Sequence, residues 1–125
     1  MRLLLDTHAL LWWLADDPTL SAEARKAIAD AGSVVYVSAA SAWEIAIKRS
    51  LGKLEAPEEL DEALAANAFA PLPITIGHAL AAGRLPNHHQ DPFDRMLVAQ
   101  AMAEGLTLVT RDENIAKYDV ATLRA

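Results

Sequence analysis

Four carboxylates carry the chemistry open to this sequence. Asp6 directly follows Leu3–Leu5, Glu44 lies just beyond the run VVYVS, Asp94 is three residues past Asp91, and Asp112 comes after LTLV. Each apolar run reads as a short buried strand. Each acid is therefore expected at a strand's carboxyl end or in the first turn of the helix that follows, where an open parallel sheet binds its ligands. Carboxylates brought together there raise one another's pKa unless a cation neutralises them. An oxygen-only donor set suits a hard divalent ion such as Mg²⁺ or Mn²⁺, which binds through few carboxylates plus substrate phosphate. The natural output of such a site is phosphoryl chemistry, with one ion activating a water and a second able to stabilise the leaving oxygen.

Each acid also has a structural reading. Asp91 before Pro92 is a good N-cap with proline at the first helical position, and Asp94 then sits at N3 against the helix dipole. Ser41 and Glu44 have the spacing of a capping box, and Glu44 could pair with Lys48 at i+4. Asp6 and Asp112 could each cap the turn after them. Only convergence of the acids at one sheet edge separates a site from four caps.

The elements that must position them follow from hydrophobic period and breakers. Strands are expected at Leu3–Leu5, Val34–Val37, Leu72–Ile74 and Leu106–Val109, with a last extended segment near Val120. Helices are expected over His8–Leu14, Leu20–Ala31 with Ser21 as N-cap, Ser41–Leu51, Pro57–Phe69, Ile76–Leu85 and Asp91–Glu104, with Pro86–Gln90 as loop. Short apolar strands alternating with helices indicate an α/β sandwich, a parallel sheet covered on both faces.

The chain has 125 residues, 53% of them hydrophobic, no cysteine and no repeat, which fits one domain over residues 1–125. Absence of cysteine excludes disulfides, thiolate catalysis and Cys-based zinc sites. Asp6, Asp16 and Asp17 interrupt the apolar N-terminus and no small-residue cleavage site follows, so a cytoplasmic protein without a membrane span is expected. The net charge of −6 argues at face value against a nucleic-acid partner. Neutralising Asp6, Glu44, Asp94 and Asp112 with metal removes that objection. Candidate phosphate contacts are then Lys48, Arg49, Lys53, Arg95 and Arg111, each of which could equally belong to a solvated face.

The blocks LLLDTH, VSAASAWEIAIK, HHQDPFDRMLVAQA and LTLVTRD resemble, in order and separation, the four motifs of the PIN-domain ribonucleases, and specifically the VapC-type toxins of toxin-antitoxin pairs. The likeness spans essentially the whole chain. It implies a PIN-like fold, a parallel sheet of about five strands with helices on both faces. It implies Mg²⁺- or Mn²⁺-dependent endonucleolytic cleavage of RNA, with Asp6, Glu44 and Asp94 on the principal ion and Asp112 supporting it or a second one. Thr7, Ser38 and Thr110 match positions where the family holds a hydroxyl that orients the acids or a metal-bound water, and Asp91 matches an extra acid, read here mainly as a cap. A cognate antitoxin and a homodimer are also implied.

Other conspicuous residues receive structural readings. His8, His88 and His89 could touch RNA or a metal, but His8 is expected to pack on or beside the first helix and His88-His89 to be exposed loop, with metal ligation by histidine disfavoured where carboxylates already supply hard ligands. Trp12 and Trp13 offer stacking surface for RNA bases, yet their place in an apolar helix favours core or an interface with another subunit, and Trp43, Ile45 and Ile47 are expected in core or a groove for the antitoxin. Two rivals stand beside the nuclease. One is a phospho-receiver or small phosphatase, which would want paired acids after the first strand and a lysine after the last, where this chain has Leu5-Asp6 and Arg111. The other is a catalytically idle binding module.

Overall fold

The computed structural model describes residues 1–125. Five strands, β1 (Arg2–Leu5), β2 (Val34–Ser38), β3 (Ala70–Leu72), β4 (Thr107–Thr110) and β5 (Thr122–Arg124), form one parallel sheet in the order β3-β2-β1-β4-β5. Six helices surround it: α1 (Thr7–Leu14), α2 (Ala22–Ala29), α3 (Ala39–Ser50), α4 (Leu60–Ala66), α5 (Ile76–Arg84) and α6 (Pro92–Glu104). A 3-10 turn at Ile115–Lys117 precedes β5. The expected α/β architecture is what the chain adopts. No helix is long and apolar enough to cross a membrane.

β1 occupies the centre because it is apolar on both faces. Leu3 and Leu5 point into one core layer with Val35, Val37 and Val109, covered by Ala9 and Leu10 of α1 and by Ala24 and Ile28 of α2. Leu4 points the other way, into a layer with Leu108, covered by Leu97, Val98 and Ala101 of α6. Alternation along a pleated strand thus turns three consecutive leucines, all fully buried, into contacts for both layers. At roughly 1.5 to 3 kcal/mol for each side chain removed from water, this strand anchors the sheet. It also fixes the place of the residue after it.

Several boundaries differ from expectation. The third strand is Ala70–Leu72, paired with Tyr36–Ser38, rather than Leu72–Ile74. It is an edge strand, where Pro71 is tolerated, and Pro73 ends it. The helix expected over Pro57–Phe69 shrinks to Leu60–Ala66, because Ala68 adopts φ 57° and turns Phe69 into the core. α3 starts at Ala39 with Ser38 as its N-cap, so the Ser41/Glu44 capping box does not form. Ser41 is instead the third residue of the helix, in its first turn, buried beside Thr7. α6 begins and ends as read, with Asp91 as N-cap and Gly105 in the left-handed region at φ 65°.

A carboxylate pocket as candidate active site

Asp6 continues β1 by one step, its backbone N–H donating to Val109 O at 3.0 Å, and then caps α1 by accepting from Ala9 N–H at 2.8 Å. Capping answers one side of its carboxylate and leaves the other facing a pocket of about 250 Å³ above the sheet's carboxyl edge. Glu44, Asp91, Asp94 and Asp112 line the same pocket. The structure therefore brings the four predicted acids together with Asp91. Asp6 and Glu44 are each only 6% exposed, a burial that charged groups sustain only when compensated.

Compensation is uneven. Glu44 is held on both oxygens: Thr7 Oγ1 donates to Oε1 at 2.5 Å and Lys48 Nζ to Oε2 at 2.6 Å. The i,i+4 pair expected with Lys48 is thus present. Hydrogen bonding to Glu44 is the main reason that the Lys48 ammonium titrates above its usual range, with the charges of Asp91 and Asp94 adding to it. Burial pushes the Asp6 carboxyl up, against hydrogen bonds from Thr110 and the Ala9 N–H. Asp94 is pushed up to about 7, by burial first and then by the charge of Asp91, with Asp6 and Glu44 adding and His89 opposing. Burial also acts upward on Asp112, but hydrogen bonds from His89 and the Asn114 N–H outweigh it and leave this carboxyl below its usual range.

His89 was expected as exposed loop, and the structure corrects this. Its ring is 14% exposed; Nε2 donates to Asp112 Oδ2 at 2.8 Å and lies 3.0 Å from Asp94 Oδ2. Nδ1 accepts the backbone N–H of Asp91 at 3.2 Å, which places the ring proton on Nε2. The imidazole is therefore a donor shared by two carboxylates, with no lone pair turned toward them. His89, Asp94 and Asp112 place ligand-type atoms within 4.8 Å of one another, but only the acids offer lone pairs there. The available signal was His89 two residues before an N-cap aspartate, close enough for that residue's N–H to return to the ring.

Other predicted residues divide. Thr7 supports Glu44, and Thr110 accepts from the Asp112 N–H at 3.1 Å while bonding Asp6. Ser38 does not reach the pocket: its hydroxyl caps Ala40 and donates to the buried Gln100 Oε1 at 2.6 Å, on the α6 side. Arg95 was expected on phosphate, yet its guanidinium is bonded to the carbonyls of Ala82, Leu85, Pro86 and His89, stapling the loop before α6. Arg111 binds the carbonyls of Ala125 and Thr19 and stacks on Trp12. Lys48 lines the pocket, Arg49 turns toward Glu58, and Lys53 is exposed beyond α3. His8 is exposed beside Trp12, and His88 packs edge-on against Tyr118. Trp13 bonds Asn67 and packs on Phe69, while Trp43, 63% exposed, meets Phe93.

The PIN domain family model matches residues 3–121. The chain belongs to the PIN-domain family. A PIN relative, Ribonuclease VapC22 of Mycobacterium tuberculosis (strain ATCC 25618 / H37Rv), is 32% identical over 123 residues, covering 92% of this chain and 90% of its own. Among solved structures the PIN fold is shared with a chain of VapBC2 from Rickettsia felis bound to a DNA fragment from their promoter (TM-score 0.72, 14% identity, 98% of each chain). It is shared also with a chain of FitAcB from Neisseria gonorrhoeae (TM-score 0.65, 21% identity, 98% of this chain and 96% of that one). PIN nucleases use divalent metals, and the donor set here fits one. Five carboxylates line one pocket that holds only two basic side chains, Lys48 and Arg111, and the half-buried Asp94 retains its proton to about neutrality.

Proposed function

We propose that this PIN protein is a VapC-type ribonuclease, the toxin of a toxin-antitoxin pair, and that it hydrolyses RNA phosphodiester bonds with Mg²⁺ or Mn²⁺ held by Asp6, Glu44, Asp94 and Asp112. The observation that carries this reading is the convergence of these acids at the sheet's carboxyl edge without enough cations to balance them. A divalent ion bound there supplies Lewis-acid polarisation of the phosphodiester and a water nucleophile at neutral pH.

The chain's own residues supply the rest. Thr7 and Lys48 fix the Glu44 carboxylate from two sides. Capping by Asp6 and Asp91 orients the first turns of α1 and α6, and through α6 the Asp94 side chain at N3. His89 holds Asp94 and Asp112 together. Lys48 and Arg49 are the cations we assign to the RNA backbone, since Arg95 and Arg111 serve backbone carbonyls. For the antitoxin we assign the apolar cleft of about 340 Å³ between α3 and α4, lined by Ala42, Ile45, Leu60 and Leu64. A homodimer in the cytoplasm completes the proposal.

The test is incubation of purified protein with single-stranded RNA in Mg²⁺ or Mn²⁺ and in chelator, beside Asp94→Asn. Cleavage that needs the ion and is lost in the variant supports the reading. RNA left intact by the wild-type protein under all conditions would leave the idle binding module as the better account.

A further inference from the structure

We infer that His8 and Trp12, backed by Arg111, form a nucleobase-stacking wall of the carboxylate pocket, which seats one unpaired base of the RNA beside the scissile phosphate. The inference rests on the ribonuclease reading and deepens it. Trp12 is the one apolar residue among those lining the pocket; the others named above are acids, Thr7, His8, Lys48 and Arg111. α1 places residues 8 and 12 on one side, one turn apart, and their ring centroids are 5.7 Å apart at 35°. His8 is exposed and Trp12 half-buried, whereas Ala9 and Leu10 on the same helix are fully buried. The core thus takes one face of α1; His8 stays at the pocket, and Trp12 lines it while part of its indole packs against the core layer.

Arg111 explains how the wall is held. Its Nε and Nη2 donate to the carbonyl of Ala125, and Nη2 also to Thr19, so that edge of the guanidinium is tied to backbone. The planar cation lies 4.8 Å from the Trp12 ring centroid, a cation–π arrangement that fixes the indole. Arg111, a candidate phosphate contact in the sequence, therefore serves an aromatic instead. Stacking suits such a wall, because every base offers a π-face.

The experiment measures binding of fluorescent single-stranded oligoribonucleotide and of an abasic ribose-phosphate oligomer of equal length. The protein is Asp94→Asn, which does not cleave the probe, alone and combined with Trp12→Ala, Trp12→Leu or Trp12→Phe, each checked for cooperative melting. Trp12→Ala and Trp12→Leu are expected to weaken RNA binding about tenfold, to leave abasic binding unchanged, and to be rescued by Trp12→Phe. Leucine retains apolar packing without a π-face, so its failure to rescue separates stacking from core support. Equal RNA affinity across these variants, or equal losses for RNA and abasic probe, would overturn the wall while leaving the nuclease standing. No binding of RNA together with no cleavage by the wild-type protein would overturn both.

Discussion

His89 Nε2 lies 3.0 Å from Asp94 Oδ2. The same nitrogen donates to Asp112 Oδ2 at 2.8 Å, and the Asp91 N–H fixes the tautomer from behind. One imidazole therefore ties the first turn of α6 to the segment after β4. Outer partners of this kind set the orientation of acidic ligands, and their loss costs roughly 10- to 100-fold in metal affinity. His89→Ala is expected to weaken Mn²⁺ binding by that factor in a calorimetric titration, with His89→Gln, which keeps a terminal N–H, recovering most of it. A glutamine variant as weak as alanine would argue instead for direct ligation by the ring.

Asp94 produces a pH signature in the metal-free protein. Its carboxyl titrates at about 7 in the fold against 3.8 for an ordinary aspartate. Between those values the native state binds more protons than the unfolded one, so stability is greatest at the acidic end of the window and declines as pH rises through about 7. Asp6, raised by burial, adds in the same direction. Asp112, lowered, acts the other way, and its contribution is lost only as pH falls below the ordinary carboxylate range. Thermal melts in chelator should show midpoints falling from mildly acid to neutral pH, with a flatter profile for Asp94→Asn. An unchanged slope in that variant would remove Asp94 as the cause.

Asp91 is predicted to act through the helix. Its Oδ1 accepts from Phe93 N–H at 2.8 Å and Asp94 N–H at 3.1 Å. Asp91→Ala should destabilise the protein by about 1 kcal/mol, and Asp91→Ser should restore most of that. If serine restores the melting midpoint but not metal affinity, Asp91 is a ligand as well as a cap.

Arg95 is a structural cation. With the carbonyls of Leu85 and His89 left without a donor, while Ala82 O keeps the Leu85 N–H and Pro86 O keeps the His88 N–H and the Tyr118 hydroxyl, Arg95→Ala is expected to lose about 2 kcal/mol of stability. Hydrogen exchange should rise in residues 85–90, and lysine should rescue poorly because it lacks the planar fork. Normal stability with weakened RNA binding would return Arg95 to the phosphate contacts.

What could be read in the sequence was local. A buried strand ending in an acid places that acid at the sheet edge without further information, so Asp6, and likewise Asp112 two residues past β4, were legible. Asp91-Pro92 and Gly105 mark α6 at both ends by cap and breaker chemistry alone. The roles of Arg95, Arg111 and His89 depended on carbonyls and carboxylates up to 92 residues away, which no spacing encodes. Ser38 and Ser41 exchanged expected duties because α3 begins one half-turn earlier than its apolar period suggested. Ser38 was left to cap and Ser41 to sit against Thr7.

In the proposed site Asp94 gives up a proton to a divalent cation in a pocket shared with Asp6, Glu44 and Asp112. Calorimetric titration of Mn²⁺ into the metal-free protein near pH 7, repeated in two buffers of different ionisation enthalpy, measures this directly. Saturable binding accompanied by proton release, both lost or greatly weakened in Asp94→Asn, is the result predicted. Binding that releases no proton and is indifferent to Asp94→Asn, or no binding at all, would contradict it.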